Sequence, residues 1–217
     1  MRRAKALWTS FSKGALDWIY PPQCALCARI GQPTVCAVCA SDMRPLEIFH
    51  DDRLDPLLSF RASAYEYEGR AAQAVRRLKY SRATSLAAFM SDAIKTVACD
   101  AGLVDDRLVL PVPIHWSRRC VRGFNQAELL CEALPKEQVR TTVLARIKPT
   151  ASQAGLNADQ RRKNLTGAFQ VRGKLDGQRI LLVDDVLTTG QTGRECARVL
   201  LEAGAIEVGL LTFAAEL

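Results

Sequence analysis

A chain of 217 residues with 48% hydrophobic and 24% charged side chains has room for one α/β core plus a small appendage, and is too apolar to be disordered or fibrous. Its net charge of +7 and pI near 9.1 favour an anionic partner without naming it. No apolar run approaches the ~18 residues that span a bilayer, and the basic N-terminus lacks the unbroken apolar stretch and small-residue cleavage site of a secretory signal, so a cytoplasmic protein with no stable membrane insertion is expected.

Taken in chain order, Leu7, Trp8, Phe11, Ala15, Trp18 and Ile19 recur at helical spacing and predict an amphipathic helix over 4–19. Such a helix packs on the rest of the protein or, being basic, lies on a membrane surface. A cysteine module over 21–43 follows. Cys24-x-x-Cys27, an eight-residue spacer and Cys36-x-x-Cys39 form two thiolate knuckles, which together close a tetrahedral structural zinc site. Redox CxxC pairs are the competing reading, and two motifs in tandem favour zinc. In a reducing compartment no disulfide framework is expected. The remaining Cys99, Cys120, Cys131 and Cys196 are expected to fill cores or helix faces, although Cys120 sits among Arg118, Arg119 and Arg122, which would depress a thiol pKa.

The stretch 44–58, with Pro45, Pro56, Asp51, Asp52 and Asp55, reads as a linker and divides an N-terminal unit, 1–55, from a larger domain, 56–217. Within the larger domain the alternation around Tyr65 and Tyr67, over 64–68, predicts an edge hairpin. Helices are expected over 71–79 and 86–101. The strand LVLPVPI, 108–114, is pushed toward a sheet edge or a strand end by Pro111 and Pro113. A helix over 124–134 has Asn125 as its cap, strands are expected over 143–146, 167–171 and 179–186, a helix over 192–203 stops at Gly204, and a last strand covers 207–214. Strands alternating with helices, and continuous apolar runs such as ILLV and VGLLTF, argue for a parallel sheet covered on both faces.

Two features of the larger domain carry chemistry. The strand ILLV ends in Asp184 and Asp185 and turns into Thr188-Thr189-Gly190-Gln191-Thr192, where a helix begins. Ligands of open α/β sheets bind beyond the carboxyl ends of strands, and backbone N–H groups at a helix start form a ready anion site. Gly190 lets an anion approach the backbone, the threonine hydroxyls add donors, and the two carboxylates are placed to accept from sugar hydroxyls. No Gly-Lys-Ser/Thr occurs anywhere, so a ribose-5-phosphate site is described better than a nucleoside-triphosphate site. The second feature is charge. Over 140–174 the cations Arg140, Arg146, Lys148, Arg161, Arg162, Lys163, Arg172 and Lys174 face one acid, Asp159. That window suits a polyphosphate or a nucleic-acid backbone, or is a solvated face.

The strand, acid pair and threonine-rich loop resemble the signature of type I phosphoribosyltransferases for 5-phosphoribosyl 1-pyrophosphate (PRPP). Over nearly its full length the chain resembles the ComF family. The resemblance is carried by the cysteine module, LKYSRATSLA, LPVPIHWSRRCVRGFNQAELL and SQAGLNADQRRKNLTGAF. It implies a type I phosphoribosyltransferase-like parallel sheet flanked by helices, an N-terminal zinc ribbon, and PRPP with Mg²⁺ as ligand. Asp184 and Asp185 would hold the ribose diol and its metal, and Thr188, Thr189, Gly190, Gln191 and Thr192 the 5-phosphate. The loop 115–122 would hold pyrophosphate through Arg118 and Arg119, whose planar guanidinium forks suit its oxygens. The basic stretch 148–164, with Lys148, Arg161 and Arg162, would be a flexible loop closing over the site. His115 could assist, whereas His50 is assigned no role.

The activity implied is transfer of a phosphoribosyl group to an unknown nitrogen acceptor with release of pyrophosphate, linked to DNA uptake in natural transformation. Glutamine hydrolysis is not expected. The alternative is an adaptor without turnover that senses PRPP or binds single-stranded DNA or a DNA-uptake helicase.

Overall fold

A computed structural model of the chain describes residues 21–46, 56–149 and 165–216. The helix expected over 4–19, His50 and the aspartates of the linker, and Arg161, Arg162 and Lys163 lie outside the described residues. Those residues run in the order α1 (Ala37–Ser41), β1 (Phe60–Glu66), α2 (Gly69–Tyr80), α3 (Leu86–Asp100), β2 (Arg107–Pro111), α4 (Trp116–Arg122), α5 (Gln126–Leu130), β3 (Leu144–Arg146), β4 (Phe169–Val171), β5 (Arg179–Leu187), α6 (Gln191–Glu202) and β6 (Glu207–Ala215).

Four strands form a parallel sheet in the order β1-β6-β5-β2. The two most apolar strands take its centre, as strands covered on both faces require. Alternate side chains of β5 and β6 feed separate cores. Leu181, Val183, Leu211 and Phe213 join the cluster built with α2, α3 and α5, while Ile180, Leu182, Val208 and Leu210 join the cluster built with α6. The sheet is therefore covered on both faces, as the apolar runs predict. Cys24, Leu26, Cys36, Cys39 and Met43 of the cysteine module belong to the first of these clusters.

The stretch expected as an edge hairpin is the second half of an edge strand, β1, which runs parallel to β6 from Phe60↔Gly209 to Glu66↔Ala215. Over 64–68 Ala64 is buried, Tyr65, Glu66 and Tyr67 are all half-buried and Glu68 is exposed, so the alternation in sequence is not one of exposure. The Ser63 and Thr212 hydroxyls lie 2.6 Å apart and satisfy each other inside the sheet. The proline-bearing strand β2 lies at the opposite edge and ends at Pro111, whose pairing with Val183 is its last.

The helix expected over 124–134 holds helical form only as α5. Asn125 is its cap, accepting from Ala127 N and donating to Val112 O at 3.1 Å each. Ahead of it stands α4, in a stretch read from sequence as a loop. No residue of α4 is buried, so no apolar stripe announces it. The strands β3 and β4 pair antiparallel with each other outside the main sheet. Among the described residues no helix is long and apolar enough to cross a membrane.

Candidate functional site

The acid pair lies within β5, which keeps its pairing with β6 through Leu187↔Ala215 before the chain turns into α6. Gly190 makes that turn at φ 71° as the N-cap of α6, a conformation that strains residues with a Cβ. Gly190 offers no side chain to cap α6, so its first N–H groups, which have no acceptor within the helix, suit an anion.

A cavity of about 430 Å³ opens at this end of the sheet, and its lining includes Asp184, Asp185, Thr188, Thr189, Gly190, Gln191, Thr192 and Arg118. Thus the acids, the whole threonine loop and one of the two expected arginines come together on one cavity. Tyr67, Lys79, Tyr80, Gln126, Arg146 and Glu216 complete its polar lining. None of these was singled out as a site residue, although two signals existed: Lys79 and Tyr80 lie in the LKYSRATSLA motif and Arg146 in the basic window.

Charge is distributed unevenly around this cavity. Asp185 is 2% exposed, and the Lys79 ammonium, 19% exposed, lies 2.9 Å from its Oδ2. Although close, the ammonium is not aligned as a hydrogen-bond donor, and Oδ2 has no such partner among the described residues. Asp184 Oδ1 accepts from the Asp185 amide at 2.8 Å. Burial, reinforced by the adjacent Asp185 carboxylate, pushes the Asp184 carboxyl up to about 8, against the pull of Lys79. Burial by itself would drive the Lys79 ammonium toward neutrality, yet the two carboxylates outweigh it and raise its pKa.

The arginines show the opposite balance. Burial and the nearby Arg122 lower the Arg118 pKa. Burial and the nearby Arg118 do the same to Arg146, whose guanidinium lies 5.3 Å from the centre of the Phe169 ring. Neighbouring cations that line one cavity gain from an anion bound there.

The other candidates lie apart. Arg119 pairs with Glu128 at 2.8 Å, is more than half exposed, and does not line the cavity. The exposed Lys148 donates to Thr166 O at 3.2 Å. His115 is buried, and its Nδ1 caps α4 by accepting from Ser117 N. Cys131 and Cys196 are buried, while Cys99 and Cys120 are exposed.

Away from the cavity, the sulfurs of Cys24, Cys27, Cys36 and Cys39 all lie within 4.8 Å of one another. Cys27 Sγ and Cys36 Sγ are 3.8 Å apart, and a tetrahedral ion with Zn–S bonds of about 2.3 Å spaces its sulfurs by about 3.8 Å. Burial raises the Cys24 thiol, but the backbone amides of Cys36, Cys27 and Leu26 outweigh it and bring the pKa down to about 6, the thiolate form that a metal takes. Burial and the other three cysteines push the Cys39 thiol up to about 12, the crowding that a shared cation relieves, and four thiolates on one ion make a structural zinc site with no coordination position open.

Comparison with known proteins gives a family match in each part of the chain. Residues 126–217 match the phosphoribosyl transferase domain family, and residues 15–48 match the double zinc ribbon domain family. The DNA utilization protein YhgH of Escherichia coli O157:H7 is 36% identical over 141 residues, covering 62% of this chain and 62% of that protein. The chain thus spans about 62% of the length of that relative. YhgH of Salmonella typhi is 34% identical over 197 residues, covering 86% and 80%. Competence protein ComFC of Bacillus subtilis (strain 168) is 32% identical over 191 residues, covering 83% and 72%. With a zinc-ribbon cysteine cluster ahead of a phosphoribosyltransferase-type domain, this chain belongs to the family of ComF, ComFC and YhgH proteins.

Proposed function

We propose that the cavity binds PRPP with a magnesium ion, and that the chain transfers the phosphoribosyl group to a nitrogen acceptor as pyrophosphate leaves. One observation carries this reading: an acid pair with Asp185 buried and Asp184 half-buried, a helix start ringed by threonines and not capped by its own N-cap residue, and two neighbouring arginines line a single cavity. The start of α6, with Thr188, Thr189, Gly190, Gln191 and Thr192, receives the 5-phosphate. Asp184 and Asp185 accept from the ribose hydroxyls. Arg118 and Arg146 receive the pyrophosphate, Arg146 taking the place expected of Arg119, which Glu128 engages. Lys148, Arg161 and Arg162 belong to the basic stretch that closes over the ligand.

Magnesium fits this donor set, because carboxylate oxygens are the hard ligands it prefers and both carboxylates line the cavity; the Lys79 ammonium 2.9 Å from Asp185 Oδ2 holds the place of a cation there. When bound, the ion neutralises charge on the departing pyrophosphate. In the reaction the bond from ribose C1 to the pyrophosphate oxygen breaks, a nitrogen–C1 bond forms, and the nitrogen gives up a proton. Positive charge develops on the sugar, so positioning and charge neutralisation suffice without a protein nucleophile.

A second reading, a non-catalytic adaptor for single-stranded DNA, is favoured by one surface. Tyr80, Trp116 and Val121 are 74%, 69% and 74% exposed, and α4 carries Arg118, Arg119 and Arg122. Exposed rings interleaved with cations make a stacking platform for bases. The relatives' names, DNA utilization and competence proteins, point the same way.

Titration with PRPP and Mg²⁺ of wild-type protein and of Asp185→Asn tests the site: wild type binds and the variant binds far more weakly. Pyrophosphate release across a panel of nitrogen acceptors then separates the readings. Release supports the transferase; binding without release supports the adaptor.

A further inference from the structure

The cavity and the cysteine cluster are joined by one helix. α2 has twelve residues, a rod of about 18 Å at 1.5 Å per residue. Ala71, Ala74, Val75 and Leu78 form its buried stripe. Arg70, Gln73 and Arg77, spaced by three and four, share a neighbouring face, and that face is bound to the first cysteine knuckle. Arg70 Nη1 and Gln73 Nε2 donate to Leu26 O at 3.4 and 3.2 Å, and Arg77 Nη1 donates to Ala25 O. Ala25 and Leu26 are the two residues between Cys24 and Cys27, so their carbonyls are held in place by whatever holds the two sulfurs. Leu26 is itself buried in the same cluster as Val75 and Leu78. Two residues beyond Arg77 comes Lys79, with its ammonium 2.9 Å from Asp185 Oδ2.

We infer that the cysteine knuckle is a brace for the acid pair: it clamps α2 through Gln73 and Arg77, and α2 in turn holds Lys79 against Asp185. The inference rests on the proposed reading of the cavity for its ligand. Gln73 and Arg77 are then positioning residues, acting on the site only through Lys79. Zinc in the knuckle stiffens the clamp, and losing the ion or oxidising a thiol loosens it.

The test is a double-mutant cycle on the full chain, read by binding of PRPP with Mg²⁺ and by zinc content. Gln73→Ala/Arg77→Ala keeps all four cysteines, so its zinc content stays that of wild type while affinity falls about tenfold, within the span of inter-site coupling. Arg77→Lys, which retains a donor, recovers most of the loss. In a Lys79→Met background the same pair of substitutions has no further effect, because the group it acts through is gone. Stripping zinc from reduced wild type weakens binding as the double variant does, and again not in Lys79→Met. Wild-type affinity in the double variant, or an undiminished loss on top of Lys79→Met, overturns the brace. If wild type itself does not bind PRPP, the reading of the cavity fails, and the brace is judged without ligand by amide hydrogen exchange over 184–187. Faster exchange in Gln73→Ala/Arg77→Ala supports it; unchanged exchange overturns it.

Discussion

Replacing Asp184 by Asn is expected to stabilise the ligand-free protein while weakening its ligand site. Burial and the Asp185 charge lift the Asp184 carboxyl from an ordinary 3.8 to about 8, so the folded chain keeps a proton that the unfolded chain has released across that window. The folded state binds more protons there, and wild-type stability falls as pH climbs from about 4 to about 8, with the full penalty standing above it. Each unit is worth about 1.4 kcal/mol. The two carboxyls share their protons and the cavity is open to water, so about two units apply, or about 3 kcal/mol. Asn retains an oxygen to accept from the Asp185 amide and carries no charge. Asp184→Asn should therefore melt about 6–12 °C above wild type near pH 8.5, with the gap closing toward pH 4.5. Thermal melts across that range read it directly. Melting curves that stay parallel across the range would refute the reasoning.

Other outcomes follow from packing and charge. Alanine at Gly209 would place its Cβ 2.0 Å from Phe60 Cζ, a rigid ring buried under the Arg107 guanidinium, so Gly209→Ala should cost about 2–3 kcal/mol in urea unfolding. Arg118→Ala and Arg146→Ala should each weaken pyrophosphate binding by about tenfold to a hundredfold, measured by calorimetry, and the loss should shrink with added salt. Metal analysis should find a single zinc per chain, and chelation under reducing conditions should lower the melting temperature, because ion binding and folding of such a cluster are coupled.

What could be read from sequence follows how local each feature is. The acids, the threonine loop and the start of α6 are contiguous, and the CxxC pairs fix four sulfurs by spacing alone; both clusters stand in the structure where the residues indicated. Lys79 and Arg146 reach the cavity from α2 and β3, remote from Asp185 in the chain, and only the folded sheet brings them there. Arg119 looked equivalent to Arg118, but one step along α4 rotates a side chain about 100°, and Arg119 meets Glu128 instead. Helix α4 has no apolar stripe to announce it because it buries nothing, and the alternation around Tyr65 and Tyr67 does not mark a hairpin because Tyr65, Glu66 and Tyr67 are all half-buried and β1 finds its partner, β6, far along the chain. Nothing local signals that Leu26 and Ala25 serve as acceptors for a helix beyond the linker.

The most direct test of the account is a crystal structure of the protein with PRPP and Mg²⁺. It should place the 5-phosphate within hydrogen-bond distance of the loop 188–192, with the ribose hydroxyls on Asp184 and Asp185. A phosphate bound elsewhere, with the loop and the acid pair left to solvent, would contradict it.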